Sequence, residues 1–218
     1  MQSIEGFNFS DCNFGTINAK TITLSFWVRS SLTGTLGGFI ENANVDRSYP
    51  FSYTIGAANT WEKKIVTITG DTTGTWVGST NGVGLILGFS LGMGTNRQAT
   101  ANNWSAGNYR SVTGETPVVG TNGATFYITG VQLEKGSVAT PFEYRHYGQE
   151  LALCQRYYEK SYDISVVPGT STYAGLVVQD VPAGYGRCGF TFAASKRTTP
   201  TMTMYSRAGT SGYLTKDD

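Results

Sequence analysis

The chain has 218 residues, of which 39% are hydrophobic and only 14% are charged. Lys and Arg total 16 against 15 acidic residues, and this balance excludes the basic excess that is typical of proteins that bind nucleic acid. The three cysteines lie far apart with no CxxC pair, which argues against a disulfide framework or a zinc site and favours assembly in a reducing compartment.

The clearest pattern is a β-strand predicted at residues 21–30. Its apolar side chains share one face: Ile22, Leu24, Phe26 and Val28. Trp27 lies on the opposite face, where it is either exposed or covered by another layer. Further strands are predicted at residues 49–55, 64–69, 83–91 and 126–133. Turn-rich segments separate these strands at regular spacing, so the sequence predicts a two-sheet sandwich with Greek-key or jelly-roll connectivity.

Glycines mark two special places in these strands. The strand at 83–91 has Gly84 and Gly88 on the face opposite its apolar side chains, which leaves room for another group to approach closely. In the strand at 126–133 the apolar parity switches across Gly130, which predicts a β-bulge there. Residues 72–96 carry no charge, but their Gly, Thr, Ser and Asn content indicates β-structure and not a membrane helix.

The hydrophobic period changes near residues 149–160. Leu151, Cys154 and Tyr158 fall on one helical face, which predicts a short helix. Its apolar stripe would either seal the base of the sandwich or be buried among three copies around a fibre axis. Beyond it we predict strands of a second, smaller β unit at residues 165–167, 173–179, 189–193 and 201–205.

Several segments resemble tail-fibre and tail-associated virion proteins of bacterial viruses. The most specific are residues 126–144 (FYITGVQLEKGSVATPFEY) and 150–158 (ELALCQRYY). Shorter segments share the pattern: 2–6 (QSIEG), 20–30 (KTITLSFWVRS), 59–64 (NTWEKK), 70–76 (GDTTGTW) and 196–202 (KRTTPTM). The resemblance implies an all-β fold in three parts: a jelly roll similar to carbohydrate-binding modules at 1–143, a linker with a short helix at 144–161, and a distal β unit at 162–218.

The pattern departs from that family at both ends. The related jelly rolls have one or two further strands before the segment 2–6, and their chains continue after residues that match 214–218. We therefore expect this chain to be a fragment of a longer virion protein. A missing first strand would leave a sheet edge open to pairing with another chain.

The sequence offers little for catalysis. His146 is the only histidine, and beside Arg145 and Tyr147 we expect it to have a structural role. The acids considered for glycoside cleavage all lie by turns, where acids are common: Glu41, Asp46, Glu62 and Asp71. We therefore predict that the chain is not an enzyme.

Sugar binding needs aromatic rings that face solvent beside polar groups. The candidate glycan-binding residues are Trp27, Tyr49, Tyr53, Trp104, Tyr109 and Arg110. Trp27 is the most suggestive of them, although a large ring of this kind often packs under a neighbouring loop or chain. Trp61 and Trp76 flank strand starts and are expected to pack at corners of the sandwich.

The resemblance adds further expectations. It implies a tail location in the virion, assembly in the host cytoplasm, and partners that are a host-surface glycan, other virion proteins and two further copies in a trimer. No cofactor is expected beyond a structural calcium ion, for which Glu5 and Glu134 are the implied donors. Two alternatives stay open: a structural or decoration protein whose 72–96 stretch contacts other subunits, and a carbohydrate-binding module of a secreted bacterial glycosidase.

Overall fold

In the computed structural model, the described residues are 1–173 and 191–213. Backbone contacts divide the chain into two compact units, Met1–Glu143 and Tyr144–Asp218. The strands of the described residues all lie in the first unit: β1 (Gln2–Glu5), β2 (Ile22–Ser30), β3 (Gly34–Glu41), β4 (Arg47–Ile55), β5 (Glu62–Ile68), β6 (Val83–Phe89), β7 (Gln98–Ala99), β8 (Ser105–Ala106), β9 (Ser111–Val112) and β10 (Phe126–Lys135). Three short 3-10 turns accompany them: Gly6–Asn8, Ser10–Cys12 and Thr95–Arg97.

These strands form an all-β sandwich. One antiparallel sheet has five strands in the order β1-β6-β3-β4-β8, and the other has three in the order β10-β2-β5. β7 and β9 form a short parallel pair. The chain changes sheet between β1 and β2, β2 and β3, β4 and β5, and β5 and β6. The prediction of an all-β sandwich followed by a short helix is confirmed.

Strand β2 supplies the centre of the core because it alternates as its sequence predicts. Leu24, Phe26 and Val28 are fully buried between the sheets. Phe26 packs edge-on against Tyr53 of β4 and Phe89 of β6, with ring centroids 5.0 and 4.9 Å away. Burying apolar side chains from both sheets is what holds the two layers together.

Strand β3 was not predicted, because its glycines look like a turn in the sequence. At Gly38 an added Cβ atom would lie 2.3 Å from Cζ of Phe51, and at Gly37 it would lie 2.5 Å from the hydroxyl of Ser111. At Gly88 of β6 an added Cβ atom would lie 2.3 Å from the ring of Phe39. The expectation that strand glycines admit close neighbours is therefore confirmed for β6.

The predicted β-bulge at Gly130 is also confirmed. β10 pairs with β2, and its register shifts between Thr129 and Gln132. Gly130 has a φ angle of +58°, a left-handed conformation that costs glycine little. Before the bulge Tyr127 and Thr129 lie opposite Arg29 and Trp27, so the bulge keeps both halves of β10 in register with the same strand.

The second unit differs from the prediction. Its helix α1 (Tyr147–Gln155) is shorter than residues 149–160 and begins earlier. The predicted strands at 165–167 and 201–205 are absent, and the described part of this unit has only a single bridge between Tyr205 and Ser211. Most of the predicted strands 173–179 and 189–193 lie outside the described residues. No residue within 144–173 or 191–213 is buried, so these segments have no packed layer to hold a strand.

Local polar contacts organise this unit instead. The Lys196 ammonium donates to the carboxylate of Glu159 and to the carbonyl of Gln155 at the end of α1, both at 2.5 Å. A cation at the C-terminal end of a helix is favoured by the helix dipole. The single helix of the described residues has nine residues, too few to cross a bilayer.

A charged pair joins the first unit's β4 to the loop after β5. Arg47 donates from Nε and Nη2 to the two carboxylate oxygens of Asp71, each at 2.7 Å. Burial raises the pKa of the Asp71 carboxyl, but Arg47 and the backbone and hydroxyl of Thr73 outweigh burial and leave this pKa below its ordinary value. A carboxylate with a lowered folded-state pKa stabilises the fold above its unfolded pKa and loses that effect as the pH falls through the folded pKa.

We therefore expect Asp71→Asn to lower the free energy of unfolding by about 3 kcal/mol at pH 7, the low end of the cost of breaking a buried pair. The difference from the wild type should shrink as the pH falls below about 4, near the ordinary pKa of Asp. Urea unfolding of the wild type and the variant at pH 7 and pH 3 measures the loss of stability and its change with pH. Asp11→Asn, which removes a solvent-exposed pair with Lys135, is the control and should change stability little. Equal losses for Asp71→Asn at both pH values would contradict this account.

Candidate functional site

The site we describe lies on the outer face of the three-stranded sheet, the face that points away from the core. On β2 this face carries Thr23, Ser25, Trp27 and Arg29, which alternate with the core side chains Ile22, Leu24, Phe26 and Val28. β10 and β5 continue it on either side, because Thr129 and Lys63 are both paired with Trp27. Each row across the outer face therefore takes one side chain from each of three neighbouring strands.

The chain after β10 folds back and covers half of this face. Thr23 donates its hydroxyl to the carbonyl of Gly136 at 2.7 Å, and the N–H of Glu143 donates to the side-chain carbonyl of Gln132 at 2.8 Å. The carboxylate of Glu134 accepts from the backbone and the hydroxyl of Thr140. Residues 136–143, the return segment, therefore bury the Thr23 end of the outer face.

The other half stays open and is rich in aromatic rings. Trp27, Trp61 and Tyr127 are 43%, 42% and 49% exposed. Trp61 directly precedes β5 and has the same parity as Lys63, which places it on the outer face. Tyr127 is the diagonal neighbour of Trp27 across the β2–β10 pair, about 7–8 Å away in a sheet of this kind, and Trp61 lies next to Glu62, where the β2–β5 pairing ends. We call these three residues the aromatic platform.

The return segment also limits the aromatic platform on one side. A Cβ atom at Gly130 would lie 3.4 Å from Cδ1 of Trp27 and 3.9 Å from Cδ2 of Phe142. The absence of a side chain at Gly130 therefore lets the ring of Trp27 and the ring of Phe142 approach the bulge from two sides. Trp27 is therefore supported by the bulge, while a large part of its side chain stays exposed. A supported aromatic ring loses little conformational entropy when it binds a ligand.

Two cations flank the platform. Arg29 lies opposite Tyr127, with its Cζ atom 5.6 Å from the ring centroid, in a cation–π arrangement. Lys63 is exposed beside Trp27. Burial raises the pKa of the nearby Glu134 carboxyl, but hydrogen bonds from Thr140 and Gln132, together with the charge of Lys63, leave it below its ordinary value. Glu134 is therefore an anion at neutral pH, on the covered half of the face.

Four of the six predicted glycan-binding residues do not offer a free ring or cation to a ligand. Tyr49 and Tyr53 are 4% and 6% exposed and belong to the core, so their prediction as binding residues is wrong. Both side chains lie on the face of β4 that points between the sheets, where large aromatic rings are buried in the core. Trp104 donates its indole N–H to the carbonyl of Thr69 at 2.7 Å and packs against Phe14. Arg110 is engaged by Glu41, as described below.

Trp104 and Trp76 belong to an aromatic cluster that closes one end of the sandwich. Trp76 packs edge-on against Phe14 and Trp104, with centroids 5.0 and 5.6 Å away. Its corner-packing role is thereby confirmed, whereas the exposed Trp61 does not pack as predicted. Tyr109 is half-buried, and its backbone N–H donates to the hydroxyl of Ser48. Of the predicted binding residues, only Trp27 lies on the outer face of the three-stranded sheet.

The acids considered for glycoside cleavage are each engaged inside the first unit. Glu41 is fully buried and accepts from Nε and Nη2 of Arg110 at 3.1 and 2.7 Å. Asp46 accepts from the side-chain amide of Asn42 at 2.6 Å. Glu62 accepts from the backbone of Gly56 and Ala57, each at 2.9 Å, and Asp71 is paired with Arg47. These contacts give each carboxylate a role in holding strands and loops together.

The implied calcium donors are not brought into a metal-binding group. Glu5 ends β1 on the five-stranded sheet, and Glu134 lies on β10 of the other sheet, where Thr140 binds its oxygens. Within residues 1–173 and 191–213, no three His, Cys, Asp or Glu side chains lie close enough to hold a metal ion. A calcium site at Glu5 and Glu134 would have to draw its other ligands from carbonyl groups and water.

The predicted interface stripe is exposed. Leu151 and Cys154 lie on α1, and Tyr158 lies beyond its C-terminal end. No residue of α1 is buried, so burial of the stripe among three copies stays a prediction. His146 is the exposed residue before the first turn of α1 and makes no side-chain cap.

Four residues of the outer face were not predicted from sequence as binding residues: Arg29, Trp61, Lys63 and Tyr127. The alternation of Phe126 and Ile128 already placed Tyr127 on the side of Trp27 once β10 pairs with β2. Trp61 shares the parity of Lys63 and Ile65, whereas Val66 and Ile68 face the core. The alternation of side chains therefore already predicted the face on which these residues lie. Only the pairing of the strands shows that they are neighbours.

Tyr53 yields a test of the distinction between core and surface. Burial raises the pKa of its hydroxyl, and that hydroxyl has no hydrogen-bond partner among the described residues. Because an unpaired buried polar group costs about 1–3 kcal/mol, we expect Tyr53→Phe to raise the free energy of unfolding by about 1 kcal/mol. Urea unfolding measures the change, with the exposed Tyr127→Phe as a control that should be neutral. A clear loss of stability in Tyr53→Phe would show that the hydroxyl is paired.

The chain has no match among protein-family models, curated proteins or solved structures. Its function must therefore be inferred from its own residues. The outer face gathers three exposed aromatic rings and two cations on neighbouring strands, and this arrangement is the strongest functional feature of the described residues.

Proposed function

We propose that this chain is a non-enzymatic attachment protein that binds a glycan on a host cell surface. The binding site is the aromatic platform on the outer face of the three-stranded sheet. The resemblance of residues 126–144 and 150–158 to tail-fibre proteins of bacterial viruses supports a setting in the tail of a virion. A non-catalytic role agrees with the engagement of Glu41, Asp46, Glu62 and Asp71 in contacts within the fold.

The observation that carries the proposal is the exposure of Trp27, Trp61 and Tyr127 on one sheet face. One side of a pyranose ring presents C–H groups and can stack on an aromatic ring, while its hydroxyls point outward to polar partners. A sheet holds its side chains at fixed spacing, so neighbouring rings can contact successive sugars of one chain. Three exposed aromatic side chains in adjacent positions would be a costly surface for a protein that leaves them in water.

Removal of the Trp27 ring tests this proposal. We expect Trp27→Ala to weaken glycan binding at least tenfold, because an aromatic anchor at the centre of a binding site contributes more than about 1.4 kcal/mol. Binding is measured on an array of bacterial surface polysaccharides and by calorimetry with the strongest ligand. Phe7→Ala is the matched control, since Phe7 is an exposed aromatic residue on a 3-10 turn away from the outer face.

The Phe7→Ala variant should bind as the wild type does, and both variants should keep a cooperative unfolding transition, which shows that they remain folded. An array on which no polysaccharide is captured would contradict the proposal. Capture that is equal in the wild type and in Trp27→Ala would contradict the position of the site.

A second candidate is a structural or decoration protein that contacts other virion proteins. It is favoured by an apolar cleft of about 480 Å³ at the side of the sandwich where β1 and β10 are the edge strands. The cleft is lined by Ile4, Leu87, Phe89, Val131 and Leu133, with Met1 and Gln2. Edge strands have unpaired backbone groups, and a strand from a second copy of the chain would both pair with them and fill the cleft.

Light scattering on the eluted protein distinguishes this candidate. If the cleft takes a strand from a second copy, the wild type should form an oligomer and Val131→Lys, which places a charge in the cleft, should be monomeric. A wild-type chain that is monomeric at all concentrations would contradict the second candidate. It would leave the glycan proposal intact, because the aromatic platform lies within one chain.

A further inference from the structure

Arg29 differs from the two buried-pair arginines of the first unit. Arg47 and Arg110 each place a guanidinium fork on a carboxylate, Asp71 and Glu41 respectively. Arg29 makes no ion pair and no side-chain hydrogen bond with any described residue, and its Nε atom is out of contact with solvent without a partner. A guanidinium that is partly removed from water without an opposing charge costs free energy, which a bound anion would offset.

The surroundings of Arg29 hold it beside the aromatic platform. Tyr127 lies opposite it on β10, with its ring 5.6 Å from the guanidinium carbon. On the other side the β2–β5 pairing ends at Val28 and Glu62, and Trp61 directly precedes Glu62 along the chain. The N–H of Asn59 donates to the carbonyl of Ser30 at 2.7 Å and keeps this segment beside the end of β2.

Two positive charges lie on the open half of the face, those of Arg29 and Lys63. Lys63 lies beside Trp27, one row from Arg29. Glu134 is two rows farther, opposite Thr23, and Thr140 of the return segment binds both of its oxygens. Glu62 faces the other way and is held by Gly56, Ala57 and Lys64. No carboxylate of the described residues is paired with the guanidinium of Arg29, although anions lie elsewhere in the same sheet.

We propose that the ligand of the outer face is a negatively charged saccharide whose anionic group pairs with Arg29 while its sugar rings stack on Trp27 and the neighbouring platform rings. This inference rests on the proposed function and narrows its ligand class. The guanidinium fork matches a planar carboxylate in bidentate fashion and also binds sulfate and phosphate oxygens. Stacked on Tyr127, the guanidinium is already oriented, so less conformational entropy is lost when the anion binds.

The experiment compares charged and neutral forms of the same saccharides. The carboxylate arm uses oligogalacturonates against their methyl esters, and sialyllactose against lactose. The second arm uses sulfated against unsulfated dextran oligosaccharides and thereby distinguishes a sulfate group from a carboxylate. All are presented on one array to the full chain, and those captured are titrated by calorimetry at low and high salt, since screening weakens an exposed ion pair.

Three variants assign any preference to its residue. Arg29→Gln removes the charge, Arg29→Lys keeps the charge without the planar fork, and Arg97→Gln removes another arginine, whose guanidinium donates to the carbonyl of Asn108. We expect the wild type to bind the charged form at least tenfold more tightly than the neutral form. Arg29→Gln should lose this preference, Arg29→Lys should keep a reduced preference, and Arg97→Gln should keep the wild-type preference. Unfolding midpoints of all variants show whether each remains folded.

The outcomes separate this inference from the proposed function. Capture of neutral saccharides as tightly as charged ones, with loss of binding in Trp27→Ala, would overturn the anionic ligand and leave glycan binding standing. A preference for the charged form that survives in both folded Arg29 variants would overturn the role of Arg29. The absence of any capture, charged or neutral, would overturn both proposals together.

Discussion

The pairing of β2 with a strand on each side is the constraint on which the rest of the first unit depends. β2 is the middle strand of its sheet, so its register with β10 and with β5 fixes which side chains meet on both faces. One face presents Leu24, Phe26 and Val28 to the opposite sheet and closes the core. A slip of one residue would exchange the two faces, bury Trp27 and Arg29, and expose the core side chains. The core and the candidate site are therefore two consequences of one register.

The bulge at Gly130 and the return segment divide the outer face between two uses. At the Thr23 end, the return segment satisfies the polar groups of β2 and β10 with its own backbone and side chains. At the Trp27 end, no described segment covers the rings, and Arg29 lacks an opposing charge. The polar half of the face thus stabilises the fold through internal hydrogen bonds. The aromatic and cationic half stays available to a ligand. Such a division is typical of binding sites, which break local rules of burial and charge pairing.

Much of this could be predicted from sequence where a single strand holds the information. The alternation in residues 21–30 predicted β2, its core face and the outward Trp27, and the parity switch at Gly130 predicted the bulge. The helix was predicted because its period differs from that of a strand. These features are local, and a local hydrophobic pattern is enough to find them.

The remainder depends on contacts between distant segments. β3 was not predicted because its glycines resemble a turn in the sequence. In the fold these glycines make room for side chains of neighbouring strands. Tyr49 and Tyr53 were misassigned because parity alone does not say which face of a strand meets the core. Arg29, Trp61 and Tyr127 come together only through the pairing of β2 with strands about 30 and 100 residues farther along the chain, which a sequence pattern does not show. The strands expected at 165–167 and 201–205 lack the packed layer that would hold them.

The central claim is that a saccharide ligand binds to the open half of the outer face. The four tryptophans allow a direct measurement, since Trp27 and Trp61 are exposed whereas Trp76 and Trp104 donate their indole N–H groups to the carbonyls of Thr73 and Thr69. The measurement is the set of indole signals in the ¹H–¹⁵N NMR spectrum during titration with a captured saccharide. The account predicts that the signals of Trp27 and Trp61 shift together while those of Trp76 and Trp104 stay in place. Shifts confined to Trp76 and Trp104, or none in Trp27 at saturation, would contradict it.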